Sequence, residues 1–148
     1  MQNLKKNIIA KCIETLQLNY KVAEAEMKEA SQAANEVGPP KDRYDPFRSQ
    51  MARRQNMFMD QCKKILDNIE TLKRINTYLP VENVAFGAIV RTSEHKVFFA
   101  VSFGKIEVEE EVYFVASNQT PLFEAMKGKK AGDHFEMNNK QFKILEVF

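Results

Sequence analysis

The chain has 148 residues, of which 44% are hydrophobic and 28% are charged, and this composition suits one or two small globular domains and excludes a disordered polymer. The net charge of +2 does not by itself indicate a nucleic-acid binder, and no apolar run approaches the roughly 20 residues that a membrane span needs. Without a signal-peptide pattern, and with Cys12 and Cys62 far apart, we expect a cytoplasmic protein with reduced thiols. His95 and His134 are isolated and are interpreted as ordinary surface or strand residues.

Two stretches of the first half carry apolar residues at alternating spacings of four and three, which is a heptad pattern. The first seam comprises Leu16, Tyr20, Ala23, Met27, Ala30, Ala34 and Val37, and the second comprises Phe47, Met51, Phe58, Ile65, Ile69 and Leu72. Two seams joined by a short loop predict an antiparallel α-hairpin, a coiled-coil arm over residues 1–78. About 30 residues per helix give a length on the order of 45–50 Å. Arg54 also falls on the second seam, which a local polar function or an ion pair with Glu24 would explain.

The second half has a different composition. Pro80 cannot continue a helix, so a separate domain is predicted over residues 79–148. Strands rich in β-branched and aromatic residues are predicted at about 85–92, 96–103, 112–117, 133–138 and 140–147. One short helix interrupts them, with Thr120 as its N-cap, Pro121 in its first position and Gly128 at its end. The prediction is an α+β protein with a small antiparallel sheet and one short helix after the hairpin.

The segment "NEVGPPKDRYDPF", residues 35–47, is unusual for a helix-to-helix turn because it holds three prolines and two aspartates. "Asp45-Pro46-Phe47" is typical of a helix start, with Asp as the N-cap and Pro in the first turn, so we favour a cap over a metal ligand for Asp45. The tip loop is then about residues 37–45, and Asp42 is its one free carboxylate. Asp42 is either a solvated loop residue neutralised by Lys41 and Arg43 or a functional tip residue.

The C-terminal stretch "NQTPLFEAMKGKKAGDHFEMNNKQFKILEV", residues 118–147, resembles the closing motif of the bacterial Gre family of transcript-cleavage factors, in which a Ser-Pro-Leu turn starts a helix ending in Leu-Gly-Lys-Lys-Val-Gly-Asp. Thr120 stands in for the Ser, and Met126–Lys127 replaces a more apolar pair. The matching positions are Pro121, Leu122, Ala125, Gly128, Lys129, Lys130, Gly132 and Asp133. With the preceding hairpin, the resemblance spans nearly the whole chain, and it implies an FKBP-like C-terminal domain.

The resemblance also implies a function. The globular domain of a Gre factor docks at the rim of the secondary channel of bacterial RNA polymerase core, and the matching turn makes Thr120 and Pro121 candidate polymerase contacts. The arm enters the channel, where carboxylates at its tip help to hold a second Mg²⁺ and its attacking water. The chain would then be a monomeric regulator, not an enzyme itself, with no cofactor of its own beyond Mg²⁺ shared with the polymerase.

The tip departs from the family pattern Gly-Asp-Leu-Ser-Glu-Asn. Aligning Gly38 with the family glycine puts Pro39 where the first aspartate stands and Asp42 on the glutamate. One of two acidic positions is therefore lost, and Asp42 remains as the candidate catalytic residue and shared metal ligand. We expect weakened or absent stimulation of transcript cleavage. Whether the protein activates or inhibits transcription stays open.

A basic set surrounds the tip and comprises Lys41, Arg43, Arg48, Arg53 and Arg54. Inside a polymerase these side chains would contact phosphates of backtracked RNA or acidic channel walls. The competing interpretation is a solvated helix face. Two alternative functions belong to other classes: a peptidyl-prolyl isomerase or chaperone, suggested by an FKBP-like fold, and a coiled-coil arm that binds RNA directly. An apolar aromatic pocket would favour the isomerase, whereas a strongly basic arm would favour direct RNA binding.

Overall fold

The computed structural model of the chain describes residues 2–36 and 46–148. Two long helices come first, and six strands with one short helix follow, so the predicted α+β class is confirmed. The helices are α1 (Gln2–Glu36), α2 (Pro46–Lys73) and α3 (Pro121–Met126). The strands are β1 (Ile89–Thr92), β2 (Lys96–Ala100), β3 (Gly104–Val108), β4 (Glu111–Ser117), β5 (His134–Met137) and β6 (Lys140–Val147). None of the described helices is long and apolar enough to cross a membrane.

The chain divides into two compact units. The helix unit is Glu14–Ile69, and the sheet unit combines Met1–Ile13 with Glu70–Phe148. The sheet unit therefore includes the beginning of α1 and the end of α2 as well as all six strands. The sequence predicted a division at residue 79, where the helical composition ends.

The buried side chains of the helix unit follow the heptad pattern. Leu16, Ala23 and Ala30 are buried at seven-residue intervals along α1, whereas Val22, which lies off the seam, is 63% exposed. Tyr20 and Met27, which lie between these positions on the seam, are half-buried, and the burial of Ala34 and Val37 lies outside what the structure describes. Alanines on the seam let two helices approach closely, which explains how a small side chain becomes fully buried in a pair of helices.

The seam of α2 differs from the prediction at two positions, Phe47 and Arg54. Phe47 is 44% exposed, whereas the half-buried Arg48 lies on the seam three residues before Met51. Buried or half-buried residues on α2 are spaced four and three apart: Met51, Gln55, Phe58, Cys62, Ile65, Ile69 and Leu72. The seam thus passes through Gln55, and Arg54 is exposed beside it, so the placement of Arg54 on the seam was wrong. The spacing explains the correction, because a step of four from Met51 and three to Phe58 continues the heptad, whereas Arg54 lies about 100° of helical rotation before Gln55.

The sheet is mixed rather than antiparallel, which corrects the prediction. Its strand order is β3-β4-β2-β1-β6-β5, and β2 and β4 pair in parallel while every other neighbouring pair is antiparallel. The reason is strand β3, which the sequence analysis did not predict. The chain reverses from β2 into β3 and reverses again at the turn Glu109–Glu110, so β4 runs in the same direction as β2 and lies between β2 and β3.

One face of the sheet packs against α3. Val90, Val97, Phe99 and Ile144 from the central strands form a core with Phe123 and Met126 of α3. The rings of Phe99 and Phe123 meet edge to face, with their centroids 5.1 Å apart. Such aromatic pairs add specific geometry to the burial of apolar area, and this pair fixes α3 against β2.

The opposite face is buried as well. The side chains of Ile89 and Phe98 point away from the face that packs on α3, because successive residues of a strand point to opposite faces. Even so, they are only 1% and 0% exposed. Ile8, near the beginning of α1, and Leu72, near the end of α2, belong to the same unit and are completely buried. Asn7 of α1 donates a hydrogen bond of 3.2 Å to the carboxylate of Glu109 in the β3–β4 turn. The beginning of α1 is therefore tied to the sheet by a direct polar contact.

A pair of neighbouring substitutions tests the packing of the helix unit. We expect Ala23→Asp to lower the free energy of unfolding by about 2–3 kcal/mol, because it places a carboxylate on the buried seam. Val22→Asp, one residue earlier and exposed, should change that free energy by less than about 0.5 kcal/mol. Urea denaturation followed by circular dichroism at 222 nm measures both. Equal effects of the two substitutions would contradict the packing described here.

Candidate functional site

The sequence-predicted site residues fall in three places. Lys41, Asp42, Arg43 and Asp45 lie outside the described residues, so the expectations about the tip loop remain predictions. Arg48, Arg53 and Arg54 lie in the first three turns of α2, and Thr120 and Pro121 lie at the start of α3.

The arginines of α2 differ in their surroundings. Arg53 is exposed and Arg48 is half-buried. The guanidinium of Arg54 forms an ion pair with Glu26 of α1 at 3.0 Å and lies over the ring of Phe58 at 5.6 Å from its centroid. Glu24, the predicted partner, instead pairs with Lys28 at 3.0 Å along α1. The charge of Arg54 is therefore balanced within the helix pair, although both members of the pair stay accessible to solvent.

The start of α3 has the predicted cap. The hydroxyl of Thr120 accepts a hydrogen bond from the backbone N–H of Phe123 at 3.3 Å and donates one to the carbonyl of Ser117 at 3.1 Å. Pro121 occupies the first helical position, where its missing N–H costs nothing, and its side chain is exposed. The same turn therefore closes the end of β4 and presents Pro121 to solvent.

The end of the motif is a structural turn. Gly128 follows α3 with φ +76°, a left-handed conformation that glycine adopts without strain, and its N–H donates to the carbonyl of Val84 at 2.9 Å. The carboxylate of Asp133 accepts a hydrogen bond from the N–H of Lys130 at 3.0 Å, and Gly132 donates to the carbonyl of Ile144 at 2.8 Å. These motif residues hold α3 between the 84–88 segment and β6.

A cavity of about 620 Å³ opens on the α3 face of the sheet, and we call it the sheet cavity. Its apolar walls come from β2, β4, α3, β5 and β6, and include Phe114, Leu122, Phe135 and Phe142. Phe135 and Phe142 stack with their ring centroids 5.2 Å apart. Its volume and composition are typical of a site that takes an apolar group.

Polar groups lie at the edge of the sheet cavity. His95 meets Phe114 edge to face at 5.5 Å between centroids, and Thr120 belongs to the lining. The ammonium groups of Lys105 and Lys140 lie over Phe114 and Phe142 at 5.4 and 5.5 Å from the ring centroids. Lys140 also pairs with Glu94. The arrangement is an apolar floor bordered by cations and hydroxyls, which is suited to binding a side chain rather than to bond-making chemistry.

An ionic cluster links strands β4, β2, β1 and β6. Glu111 accepts from Lys96 at 2.8 Å and lies 3.9 Å from Arg91, which in turn lies 3.5 Å from Glu146. The hydrogen bond from Lys96 is the main cause that lowers the pKa of Glu111. Burial, followed by the hydrogen bond to Glu111, raises the pKa of Tyr113 to about 12. Because each charge lies near an opposite charge on another strand of the sheet, the cluster is interpreted as structural.

Among the residues that the structure describes, no group of three His, Cys, Asp or Glu side chains is arranged to hold a metal ion. Cys12 and Cys62 are free thiols and both are buried, and burial raises the pKa of Cys12 to about 12.

No family model matches the chain, and no curated protein sequence matches it. Solved structures align with most of it, among them the following three. GreA factor homolog 1 (Gfh1) of Thermus thermophilus is 15% identical, covers 92% of this chain and 94% of its own, and gives a TM-score of 0.37. A second structure of the transcription factor Gfh1 gives 15% identity, 91% and 92% coverage and a TM-score of 0.36. Gfh1 of Thermus aquaticus gives 17% identity, 90% and 92% coverage and a TM-score of 0.34. TM-scores of this size do not establish a shared fold, so the fold assignment rests on the helices and strands of this chain.

Sequence reasoning missed the sheet cavity. Phe114 and Phe142 lie on different strands and His95 lies between β1 and β2, so only the pairing of strands brings the three side chains together. The available signal was period-two alternation: Val97 and Phe99 in β2 and Phe114 and Ala116 in β4 point to the same face. Unless the parallel pairing of β2 with β4 is known, that alternation does not show that residues of the two strands line the same cavity.

The cap of α3 can be tested with two conservative variants. We expect Thr120→Ala to lower the free energy of unfolding by about 1 kcal/mol, because the N–H of Phe123 loses its acceptor. Thr120→Ser keeps the hydroxyl and should retain most of that free energy. Urea titration of the full chain measures both variants. A Ser variant as unstable as the Ala variant would show that the methyl group of Thr120, not its hydroxyl, stabilises the turn.

Proposed function

We propose that this chain is a Gre-type transcription regulator that binds bacterial RNA polymerase core at its secondary channel. The observation that carries the proposal is the arrangement of the motif residues 120–133. The segment forms one capped helix and turn, and its Thr120 and Leu122 line a large apolar cavity at the surface of the sheet unit. A motif that builds a turn beside an apolar cavity provides a place for a protein partner to dock.

In this proposal the sheet cavity receives an apolar side chain of the polymerase. The rings of Phe114 and Phe142 form its walls, and the cations that border it favour a partner segment that also carries acidic residues. Exposed Pro121 adjoins the cavity and adds a rigid apolar contact. A buried anchor with a polar border is the arrangement that concentrates binding energy in few contacts.

The helix pair delivers the tip into the channel. Its first helix has 35 residues and is therefore about 52 Å long, enough to reach into an enclosed active centre. The ion pairs Lys28–Glu24 and Arg54–Glu26 balance charges on its surface. Paired charges release few counterions on binding nucleic acid, so these pairs favour an arm that enters a protein channel over one that binds RNA by itself.

The tip determines the regulatory outcome. With Pro39 in place of an acid, Asp42 is a single carboxylate beside Lys41 and Arg43, which is a poor site for a hard dication that prefers several oxygen ligands. The protein then contacts the polymerase active centre and shares its Mg²⁺ only weakly. Stimulation of transcript cleavage is weak or absent.

The docking step has a matched pair of variants. We expect Leu122→Glu to weaken binding to RNA polymerase core at least about tenfold, because it places a carboxylate in the sheet cavity. Leu145→Glu changes an exposed leucine of β6 outside the cavity and should bind as the wild type does. Biolayer interferometry with immobilised core enzyme measures both, and circular dichroism checks that both are folded. Failure of the wild-type chain to bind core enzyme would overturn the proposed function.

The two tip aspartates are expected to behave differently. Asp42→Ala should abolish residual cleavage in stalled, backtracked elongation complexes and leave polymerase binding nearly unchanged. Asp45→Ala should instead lower the free energy of unfolding of the helix pair by about 1 kcal/mol, through loss of a helix cap. Cleavage that survives Asp42→Ala but disappears in Asp45→Ala, with helix content intact, would reverse the two assignments.

One observation favours a second candidate, a peptidyl-prolyl isomerase. That activity needs an apolar aromatic pocket, and the sheet cavity has three phenylalanine walls. A protease-coupled isomerisation assay on the full chain and on Phe142→Ala separates the candidates. Proline isomerisation that Phe142→Ala removes, together with no polymerase binding, would favour the second candidate.

A further inference from the structure

Lys5 is a largely buried lysine that has no partner among the residues that the structure describes. It lies near the beginning of α1 and is 4% exposed, although lysine is almost never fully buried unless it is paired. Among the described residues no carboxylate forms an ion pair with Lys5 and no group forms a hydrogen bond with it. Burial lowers the pKa of Lys5. Taking most of a lysine side chain out of water without a counter-charge costs free energy, so an anion that binds its ammonium group would recover part of that cost.

A second cavity contains Lys5, and we call it the base cavity. It measures about 500 Å³, and its other lining residues are the segment 77–81 and the pair Val147 and Phe148. It shares no residue with the sheet cavity. Its volume lies in the range of small-ligand sites, and the exposed Leu79, at 63%, leaves it open to solvent.

The lining of the base cavity selects for one kind of anion. No Asp or Glu side chain lines it, and its walls are mainly apolar, including Leu79, Pro80 and Val81. A second cation adjoins it: Lys6 donates to the hydroxyl of Tyr78 at 2.8 Å and lies 4.1 Å from the centre of that ring. Lys6 thereby holds the tyrosine wall in place and adds positive potential.

The number of donors distinguishes carboxylate from phosphate. A phosphate group carries three strongly accepting oxygens and needs several donors, commonly a cluster of arginines. In the base cavity the buried cation is Lys5, and the lining also includes Thr77, whose side chain carries a hydroxyl. One ammonium with one hydroxyl suits the single charge of a carboxylate, and the apolar walls suit a hydrocarbon body.

We propose that the base cavity binds a small monocarboxylate with an apolar body, whose carboxylate pairs with Lys5 and whose body lies against Leu79, Pro80 and Val147. This site is independent of polymerase docking and of the tip. A failed test of the site would therefore leave the proposed function unaffected, and the reverse also holds.

The test uses the full chain and three probes: hexanoate, 1-hexanol and inorganic phosphate. Amide chemical shifts are followed by NMR during each titration. We expect saturable hexanoate shifts at residues 5, 77–79, 81 and 147–148, with binding at least about tenfold tighter than for hexanol. Equal binding of hexanol, binding of phosphate without hexanoate, or no saturable shifts at these residues would overturn the proposal.

Two sets of variants test whether the charge of Lys5 binds the carboxylate of hexanoate. Lys5→Met keeps the length of the side chain and removes its charge, and it should weaken hexanoate binding at least about tenfold while raising the midpoint of thermal unfolding. Lys73 is an exposed lysine at the end of α2, and Lys73→Met should change neither hexanoate binding nor the midpoint of thermal unfolding. Leu79→Asp places a negative charge at the exposed mouth and should weaken hexanoate binding, whereas the neutral Leu79→Asn should weaken it less. Undiminished hexanoate binding in Lys5→Met, or in Leu79→Asp if Lys5→Met does not fold, would contradict the assigned site.

Discussion

Burial of both faces of β2 is the constraint on which the sheet unit depends. Phe98 and Phe99 are neighbours in sequence, point to opposite faces of the sheet, and are both 0% exposed. The core with α3 buries Phe99, and the fully buried Ile8 and Leu72 of the helix ends belong to the same unit as Phe98. A central strand with two aromatic faces cannot be stable in a sheet that has one face in water. The sheet unit accordingly includes the beginning of α1 and the end of α2.

The size of α3 explains why the sheet cavity exists. A helix of six residues is about 9 Å long, whereas six strands span about 24 Å from the first to the last. The helix therefore covers only part of its face, and the aromatic side chains of β4 and β6 are left to form walls without a lid. The motif residues that cap and end α3 limit its length, since Pro121 begins it and Gly128 follows its last turn. Residues that begin and end a short helix thus determine the size of the candidate docking surface.

The features that sequence reasoning predicted correctly depend on local rules. The seam alanines Ala23 and Ala30 follow from heptad spacing, and the cap at Thr120 follows from hydrogen bonds made within four residues. Strand β3 was missed because three of its five residues are exposed and it contains charges and a glycine, as suits an edge strand. The parallel pairing of β2 with β4 could not be predicted without β3, and the cavity walls could not be identified without that pairing. Local propensity carries no information about which strands become neighbours.

Lys5 shows a different limit of the same reasoning. Its spacing of four, three and four to Ile9, Cys12 and Leu16 puts it on the buried stripe of α1, so the periodicity did contain the signal. A lysine on a helix is ordinarily assigned to the solvent-exposed side, and for that reason the burial of Lys5 was not predicted. At this position an aliphatic residue would bury the same volume without the cost of desolvating a charge. A departure from the most stable choice is expected where a residue serves binding rather than packing, and Lys5 makes that departure at the wall of an open cavity. The proposed anion, which enters from solvent and pairs with Lys5, would account both for a lysine on the buried stripe and for the opening of the base cavity.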